Sequence, residues 1–406
     1  MVIESLRPTH SVLSVLPSGP LRHIPVLLIV LSILAATCET VAGPQNDSST
    51  PGRSDSTLVP PKNDAAFTVV GYHPWWLASA WASYDLSLLD RIYFFEIEVG
   101  ANGRLTDRNG WPFLWSEMNE TAVRSNVGVS PTVTILDSQT YISLFSDSTA
   151  VSTLFTELTA LASSGMVSGL HLDIEAFEQT PPELRGIFST FVEDLSRELH
   201  ARRPDFSLSL FLLALDASDN YDEARLAAAV DYVVVQGYDL HWLGDDEAGP
   251  VASLTGWGDR NWHDIVEKMI SSGIPRSKIL MAVPYYGYEW PTTGPEPGSS
   301  TTGPGSLLPY APVLDGFSSA RDQAVKNGLL RDTQSDSPYY TFQDSTGWHQ
   351  GWFEDARSLA SKYAFVLDEG LAGIAIFPFG YGDPTLNEIL RSARLGLSPI
   401  PIPGTN

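Results

Sequence analysis

From residue 66 onward, short β-branched and aromatic runs alternate with longer stretches whose apolar residues recur at helical spacing. Eight runs read as strands: FTVVGY (67–72), RIYFFEIEV (91–99), VGVSPTVTIL (127–136), VSGLHLDIEAF (167–177), FSLSLFLLA (206–214), DYVVVQGY (231–238), KILMAVPYY (278–286) and LAGIAIFPF (371–379). Helical patterns lie between them, among them 151–165, 182–203 and 352–369. Near-continuous apolar strands separated by helices are the pattern of βα units around a parallel sheet. Eight of them over about 330 residues predict an α/β fold, a (β/α)8 TIM barrel spanning 66–398, followed by a short tail at 399–406. A doubly wound open sheet is the alternative, but no glycine-rich phosphate loop follows the first strand. The longest gap separates the seventh and eighth strands. It opens with the low-complexity stretch PTTGPEPGSSTTGPGS (291–306) and continues with PYYTFQDSTGWHQGWFEDARSL, which predicts a small insertion over 291–345 with a short strand excursion. So little material leaves a shallow site rather than a deep walled groove.

Composition narrows the function classes. A chain of 406 residues that is 43% hydrophobic can bury a sizeable core. Its net charge of −24 argues against a nucleic-acid partner or a membrane surface engaged through basic residues. The single cysteine, Cys38, excludes an intramolecular disulfide and any cysteine metal cluster.

The amino terminus reads as an export segment. Ile24–Ala36 is an apolar run preceded by Arg7, Arg22 and His23, with the charge and length of a signal peptide and too short for a comfortable membrane span. Residues 1–42 are therefore assigned as a signal, and the protein is expected to be secreted or extracytoplasmic. Cys38 follows Ala35, Ala36 and Thr37, where a lipoprotein signal places its acylated cysteine; ordinary cleavage after Ala42 is the competing reading. Membrane association is expected only through such a lipid anchor. Residues 43–65, rich in Pro, Ser, Asp and Asn, read as an unfolded spacer. Asn46 and Asn119 open N-x-S/T sequons.

Chemistry is expected at the carboxyl ends of barrel strands. In the fourth strand His171, Asp173 and Glu175 fall at alternate positions and so share one face, the barrel interior. Burying an imidazole and two carboxyls in line is costly unless they share protons, and that crowding raises at least one carboxyl pKa toward the range of a general acid. Two other readings of the triplet stay open: an internal polar network that fixes strand register, and a metal site. The second lacks company, because the next nitrogen ligand is His241 and no H-x-H or H-E-x-x-H occurs.

The fourth-strand run resembles the D-G-x-D-x-D-x-E signature of family 18 glycoside hydrolases, the chitinase and endo-N-acetylglucosaminidase family, with Gly169, Asp173 and Glu175 in place. Val70-Gly71-Tyr72 with Trp75, Gln236-Gly237-Tyr238-Asp239, Pro284-Tyr285-Tyr286-Gly287 with Trp290, and Gly373–Phe377 are similar to its first, sixth, seventh and last strands. The stretch 347–359 is similar to bacterial members that include spore-wall and cell-wall enzymes. The resemblance implies a glycosidase with Glu175 as general acid and the substrate's own 2-acetamido oxygen as nucleophile. It further implies Asp173 holding the acetamido N–H and Tyr238 donating to the acetamido carbonyl. Tyr72, His171, Gln236, Asp239, Tyr286 and Phe377 would line the same pocket, while Trp75, Trp242 and Trp290 would stack on sugar faces. No cofactor or metal is expected. The implied partner is a polysaccharide containing β-1,4-linked N-acetylglucosamine, chitin or its oligomers first and peptidoglycan second. A sugar-binding barrel without turnover is the alternative from another class.

Three positions depart from the family pattern. His171 stands at the first Asp of D-x-D-x-E, Ser168 at the leading Asp, and Phe377 at the Trp that closes the last strand. An ionised Asp173 flanked by His171 predicts a His–Asp hydrogen bond and a displaced pH optimum.

Overall fold

A computed structural model describes residues 67–164, 167–215, 218–314 and 316–397. The signal, Cys38, Asn46, the spacer and the carboxyl-terminal tail lie outside the described residues.

The eight expected runs become strands that close into one parallel barrel. In chain order the elements are β1 (Thr68–Pro74), β2 (Arg91–Glu98), α1 (Ser116–Arg124), β3 (Gly128–Ile135), α2 (Ser138–Phe145), α3 (Ser148–Ala162), β4 (Gly169–Ile174), α4 (Pro182–Arg202), β5 (Ser207–Leu212), α5 (Glu223–Ala229), β6 (Tyr232–Val235), α6 (Trp262–Ser271) and β7 (Ile279–Pro284). They continue as β8 (Tyr286–Thr292), β9 (Ser306–Pro309), α7 (Ala320–Asn327), β10 (Leu330–Arg331), β11 (Pro338–Asp344), β12 (Gly347–Trp352), α8 (Ala356–Asp368), β13 (Gly373–Phe377) and α9 (Pro384–Arg394). The barrel order is β1-β13-β7-β6-β5-β4-β3-β2, so β13 closes the ring against β1. Every residue of β4, β5, β7 and β13 is buried, because each strand is covered by helices outside and by its neighbours' side chains within.

Helix starts are set by side-chain caps. Asp137, Asp147, Asp222, Asn261, Ser319, Asp355 and Asp383 each accept a first-turn N–H, which satisfies donors that the helix leaves unpaired and favours negative charge at its positive end. Part of the acid excess is thus spent on capping. Asn119 faces inward from α1 and is buried, so its sequon is inaccessible to a glycosylating enzyme in the folded state.

The narrow end of the barrel explains two residues of the fourth-strand motif. Arg91 at the start of β2 donates from Nη1 to Ser130 Oγ (2.9 Å) and Ser168 Oγ (2.8 Å), and Ser168 Oγ also accepts from the Val129 N–H (3.0 Å). Ser168 therefore ties a plugging arginine to β3. A Cβ on Gly169 would lie 2.5 Å from Ser130 Oγ and from the Ser207 carbonyl oxygen, so this crossing has room only for glycine.

The insertion between β7 and the last barrel strand is more ordered than its low-complexity opening predicts. It forms a five-stranded antiparallel sheet, β10-β11-β12-β8-β9, which begins at Tyr286, one residue after β7. Its centre is aromatic: Tyr339 stacks on Trp352 at 4.5 Å, and Trp290 packs on Tyr288 at 5.5 Å. These ring contacts give an aromatic core to a segment that opens on a low-complexity loop.

Behind the barrel, Lys362 of α8 pairs with Glu354 at 2.7 Å, both side chains 1% exposed, and Lys362 Nζ lies 5.8 Å from the Trp262 ring centroid. Removing one partner strands a buried charge. Lys362→Met is expected to lower unfolding stability by about 3–5 kcal/mol in urea titrations, with most of the loss recovered in Glu354→Leu/Lys362→Met; equal losses in single and double variants would show that the pair is not the cause.

Candidate active site

Strand β4 supplies the chemistry because its inward positions are polar. Register pairs Thr132 with His171, Thr134 with Asp173 and His171 with Ser209, so these side chains share the barrel interior. Glu175 lies just beyond the strand, its N–H bonded to the Ile135 carbonyl (2.7 Å). Asp173 and Glu175 are 4% and 7% exposed and line a cleft of about 660 Å³ at the carboxyl ends of the strands. The two carboxyls are neighbours whose protonation is linked, each shifting the other's proton affinity.

The expected His171–Asp173 hydrogen bond does not form. His171 Nε2 is 2.8 Å from Tyr72 Oη and Nδ1 is 2.9 Å from Ser209 Oγ, while its ring stacks on Tyr93 at 4.2 Å. Both nitrogens are used, and burial pushes the imidazole pKa down to about 3. His171 is a neutral spacer that orients Tyr72, beneath the cleft rather than in its lining. It is equally unavailable as a metal ligand, and among the described residues no three His, Cys, Asp or Glu side chains group to hold an ion.

Asp239 follows β6 in a left-handed conformation (φ 56°). Its Oδ1 accepts from Tyr286 Oη (2.7 Å) and Tyr288 Oη (2.9 Å). Gln236, Tyr238, Asp239, Tyr286, Tyr72 and Phe377 all line the cleft as expected. Phe377 is its floor: the rings of Tyr72, Phe95, Tyr238 and Tyr286 lie 5.4, 5.4, 6.1 and 6.4 Å from it. Such a box excludes water and presents ring faces suited to a sugar.

The three tryptophans divide. Trp242 lines the cleft. Trp290 is wholly buried in the insertion sheet and cannot stack on a sugar, while Trp75 is half-buried, packs edge-on against Trp76 at 5.7 Å and lies outside the cleft lining. A Trp after a strand end does not reveal which way its side chain turns. Conversely, Phe95, Phe177, Gln179, Phe211, Leu213, Leu215, Asp245 and Arg260 line the cleft without having been singled out. Phe211, Leu213 and Leu215 share the parity of inward Ser209, a signal present in the sequence; Arg260, in a long loop, gave none.

Burial dominates the electrostatics. It lifts Glu175 to about 7, with the neighbouring Asp173 carboxyl lowering it and the Asp239 charge raising it. Asp173 is pushed well above the carboxylate range by burial, then by the Glu175 charge. Asp239 rises to about 6 by burial against the lowering effect of its two tyrosine donors. Tyr238 is raised by burial and remains a donor. A carboxyl protonated near neutrality beside a second carboxyl and a phenol is equipped to give a proton to a leaving group and to hold an amide.

Residues 70–382 match the family described as Glycosyl hydrolases family 18. The protein of Bacillus subtilis named as a sporulation-specific glycosylase, YdhD, is 26% identical over 75% of this chain and 68% of its own length. The cortical fragment-lytic enzyme of Bacillus anthracis is 25% identical over 59% of this chain and 52% of its own. The chain thus spans between half and about two thirds of these relatives. The chitinase of Chromobacterium violaceum superposes with a TM-score of 0.65 at 23% identity, covering 81% of this chain and 99% of that one, and shares the fold.

Stability should follow these buried groups. The raised carboxyls of Glu175 (4.5 to about 7) and Asp239 (3.8 to about 6) hold protons that the unfolded chain has released, so stability falls as pH rises from about 4 through 7. His171 and His73, lowered from 6.5 to about 3 and about 4, are neutral when folded and protonated when unfolded, so stability also falls as pH drops from 6.5 through 3. The protein is expected to be most stable near pH ~5–6. Ionising Glu175 in place costs on the order of 3 kcal/mol, and Glu175→Gln should flatten the alkaline side by a comparable amount. Denaturant midpoints from acid to mildly alkaline pH measure this; a parent midpoint that climbs steadily to pH ~8 contradicts it.

Proposed function

The chain belongs to glycosyl hydrolase family 18 and is a glycosidase, and from that premise we propose that it cleaves β-1,4-linked N-acetylglucosamine polymers with retention of anomeric configuration, using the substrate's own acetamido group. The observation that carries this reading is the placement of Glu175 beside Asp173 in an aromatic cleft, where burial lifts the Glu175 pKa to about 7.

Glu175 gives its proton to the glycosidic oxygen as the acetamido carbonyl oxygen attacks the anomeric carbon and the bond to the leaving sugar breaks. The resulting oxazolinium ion carries its positive charge beside Asp173, whose carboxylate accepts the ring N–H. Tyr238 donates to the acetamido oxygen and aligns it for attack. Water then adds at the anomeric carbon while Glu175, now a carboxylate, takes the proton, and the second inversion restores the starting configuration. Phe377 supplies a flat apolar floor for the sugar ring; its lack of an N–H removes one donor, not the stacking surface.

Chitin and its oligomers are the leading substrate. Peptidoglycan is the second, favoured by the two spore-enzyme relatives. Both present the 2-acetamido group that the mechanism requires, so the cleft chemistry serves either. Export through the amino-terminal apolar run, with or without acylation at Cys38, belongs to this proposal and fits substrates that lie outside the cytoplasm.

Product-resolved hydrolysis of N-acetylglucosamine oligosaccharides and of peptidoglycan glycan fragments tests the reading. The β-anomer is expected first, Glu175→Gln should lower kcat/KM by about a hundred- to ten-thousand-fold while sugar binding persists, and EDTA should leave the rate unchanged. Inverted product, or binding of both substrates without any turnover in the parent, overturns it.

A further inference from the structure

The backbone that carries Glu175 is held by a side chain where a strand would be expected. β4 pairs with β5 as far as Leu172 opposite Leu210, and Glu175 stands beyond that point. One edge of the chain is still tied to β3, through the Glu175 N–H and the Ile135 carbonyl (2.7 Å). On the opposite edge Tyr221 Oη accepts from the Ala176 N–H (2.7 Å) and donates to the Ile174 carbonyl (2.9 Å). In a parallel ladder one residue of the neighbouring strand makes the same pair of bonds, to the N–H after and the carbonyl before the residue it faces. A single phenol therefore does for Glu175 what a residue of β5 would do.

The segment that delivers this phenol is itself anchored to the loop it supports. Asn220 Nδ2 donates to the carbonyls of Ala176 (3.0 Å) and Glu178 (2.9 Å), and its Oδ1 accepts from the Thr180 N–H (2.9 Å) and hydroxyl (2.9 Å). Just before it the chain turns through Asp219 in a left-handed conformation (φ 53°), which aspartate tolerates, and just after it Asp222 caps α5. The Tyr221 ring packs 6.4 Å from Tyr141 and 5.9 Å from Phe188, so its hydroxyl cannot swing away. Asn220 and Tyr221 are both buried, as are Ile174 and Ala176. We propose that Tyr221 is a positioning residue for hydrolysis: its hydroxyl, bonded on both sides of Glu175, fixes where the acid leaves the strand and hence where its proton is delivered.

The purpose rests on the proposed glycosidase reading; the backbone bonds do not. Tyr221→Phe keeps the ring in its packing and takes one partner from two buried backbone groups, which the chain can relieve only by shifting. A shift of about 1 Å in a reacting group costs on the order of a hundredfold in rate. The loss should fall on proton delivery and spare sugar binding, because Tyr238, Asp239 and Phe377 stand on other strands of the barrel.

Two substrates separate those effects in the full chain: a chitooligosaccharide, whose leaving sugar needs a proton, and a dinitrophenyl chitobioside, whose phenolate leaves without one. Tyr221→Phe should lower kcat/KM on the first by about ten- to a hundredfold and on the second by less than about threefold, with oligosaccharide affinity held within about threefold. Tyr141→Phe removes a buried hydroxyl with no hydrogen-bond partner among the described residues from the same ring cluster and should match the parent on both. The Ala176 amide should be protected from hydrogen exchange in the parent and exchange at least about tenfold faster in Tyr221→Phe. Equal losses on the two substrates, or a Tyr141→Phe variant as impaired as Tyr221→Phe, overturn the inference, and so does an unprotected Ala176 amide in the parent, whether or not the variant folds. A parent that cleaves neither substrate while the Ala176 amide behaves as expected overturns the glycosidase reading and leaves the backbone anchor standing.

Discussion

The molecule is organised around the cost of keeping carboxyls out of water. Asp173, Glu175 and Asp239 stand at the inner end of one cleft, each with its pKa raised chiefly by burial. Among the described residues no buried Lys or Arg pairs with them there. An isolated carboxylate in such surroundings is too expensive to persist, so the groups hold or share protons near neutrality. The barrel makes this sustainable. Closing eight strands gives a low-dielectric interior, and its carboxyl end gives one opening through which a substrate can replace the missing solvent. A surface site could hold the same residues without perturbing them, and would have no acid to offer at neutral pH.

What surrounds the carboxyls is correspondingly neutral and aromatic. Tyr72, Phe95, Tyr238, Tyr286 and Phe377 form the box, and the chain from Tyr72 through His171 to Ser209 and Tyr93 is made of uncharged donors and acceptors. An ionised His171 would pull Asp173 toward its carboxylate form and drain the proton from Glu175. Its lowered pKa prevents that, which is why an imidazole at this position is compatible with acid chemistry two residues away.

The barrel was legible because its strands are buried on both faces and so read as apolar runs punctuated by turns. All eight runs became strands, and the polar alternation of His171, Asp173 and Glu175 located the cleft. What sequence pattern missed has identifiable causes. The register of β2 against β3 shifts between Phe94 and Ile97, and such an irregularity leaves no mark in a hydrophobic pattern. The stretch 291–306 is largely the loop that its Gly, Pro, Ser and Thr predict, but the five-stranded extent of the insertion was not legible, because the rings that order it come from Tyr288, Trp290, Tyr339 and Trp352, scattered over the long gap. For the same reason Trp290, buried in that sheet, was misread as a sugar platform.

The insertion also does more than wall the cleft. Its first strand leaves the barrel after a single residue, Tyr285, and alternate positions of that strand, Tyr286 and Tyr288, donate to one oxygen of Asp239. Two phenols anchor Oδ1, and Asp239 holds a left-handed backbone that a non-glycine residue adopts only when its surroundings insist. The spacing of the two donors is the spacing of a β-strand, so it persists only while β8 is paired to β9 and β12. The five-stranded sheet thus fixes two of the donors that orient a cleft carboxyl. An excursion of the chain that looks dispensable from its composition is the part that tells Asp239 where to point.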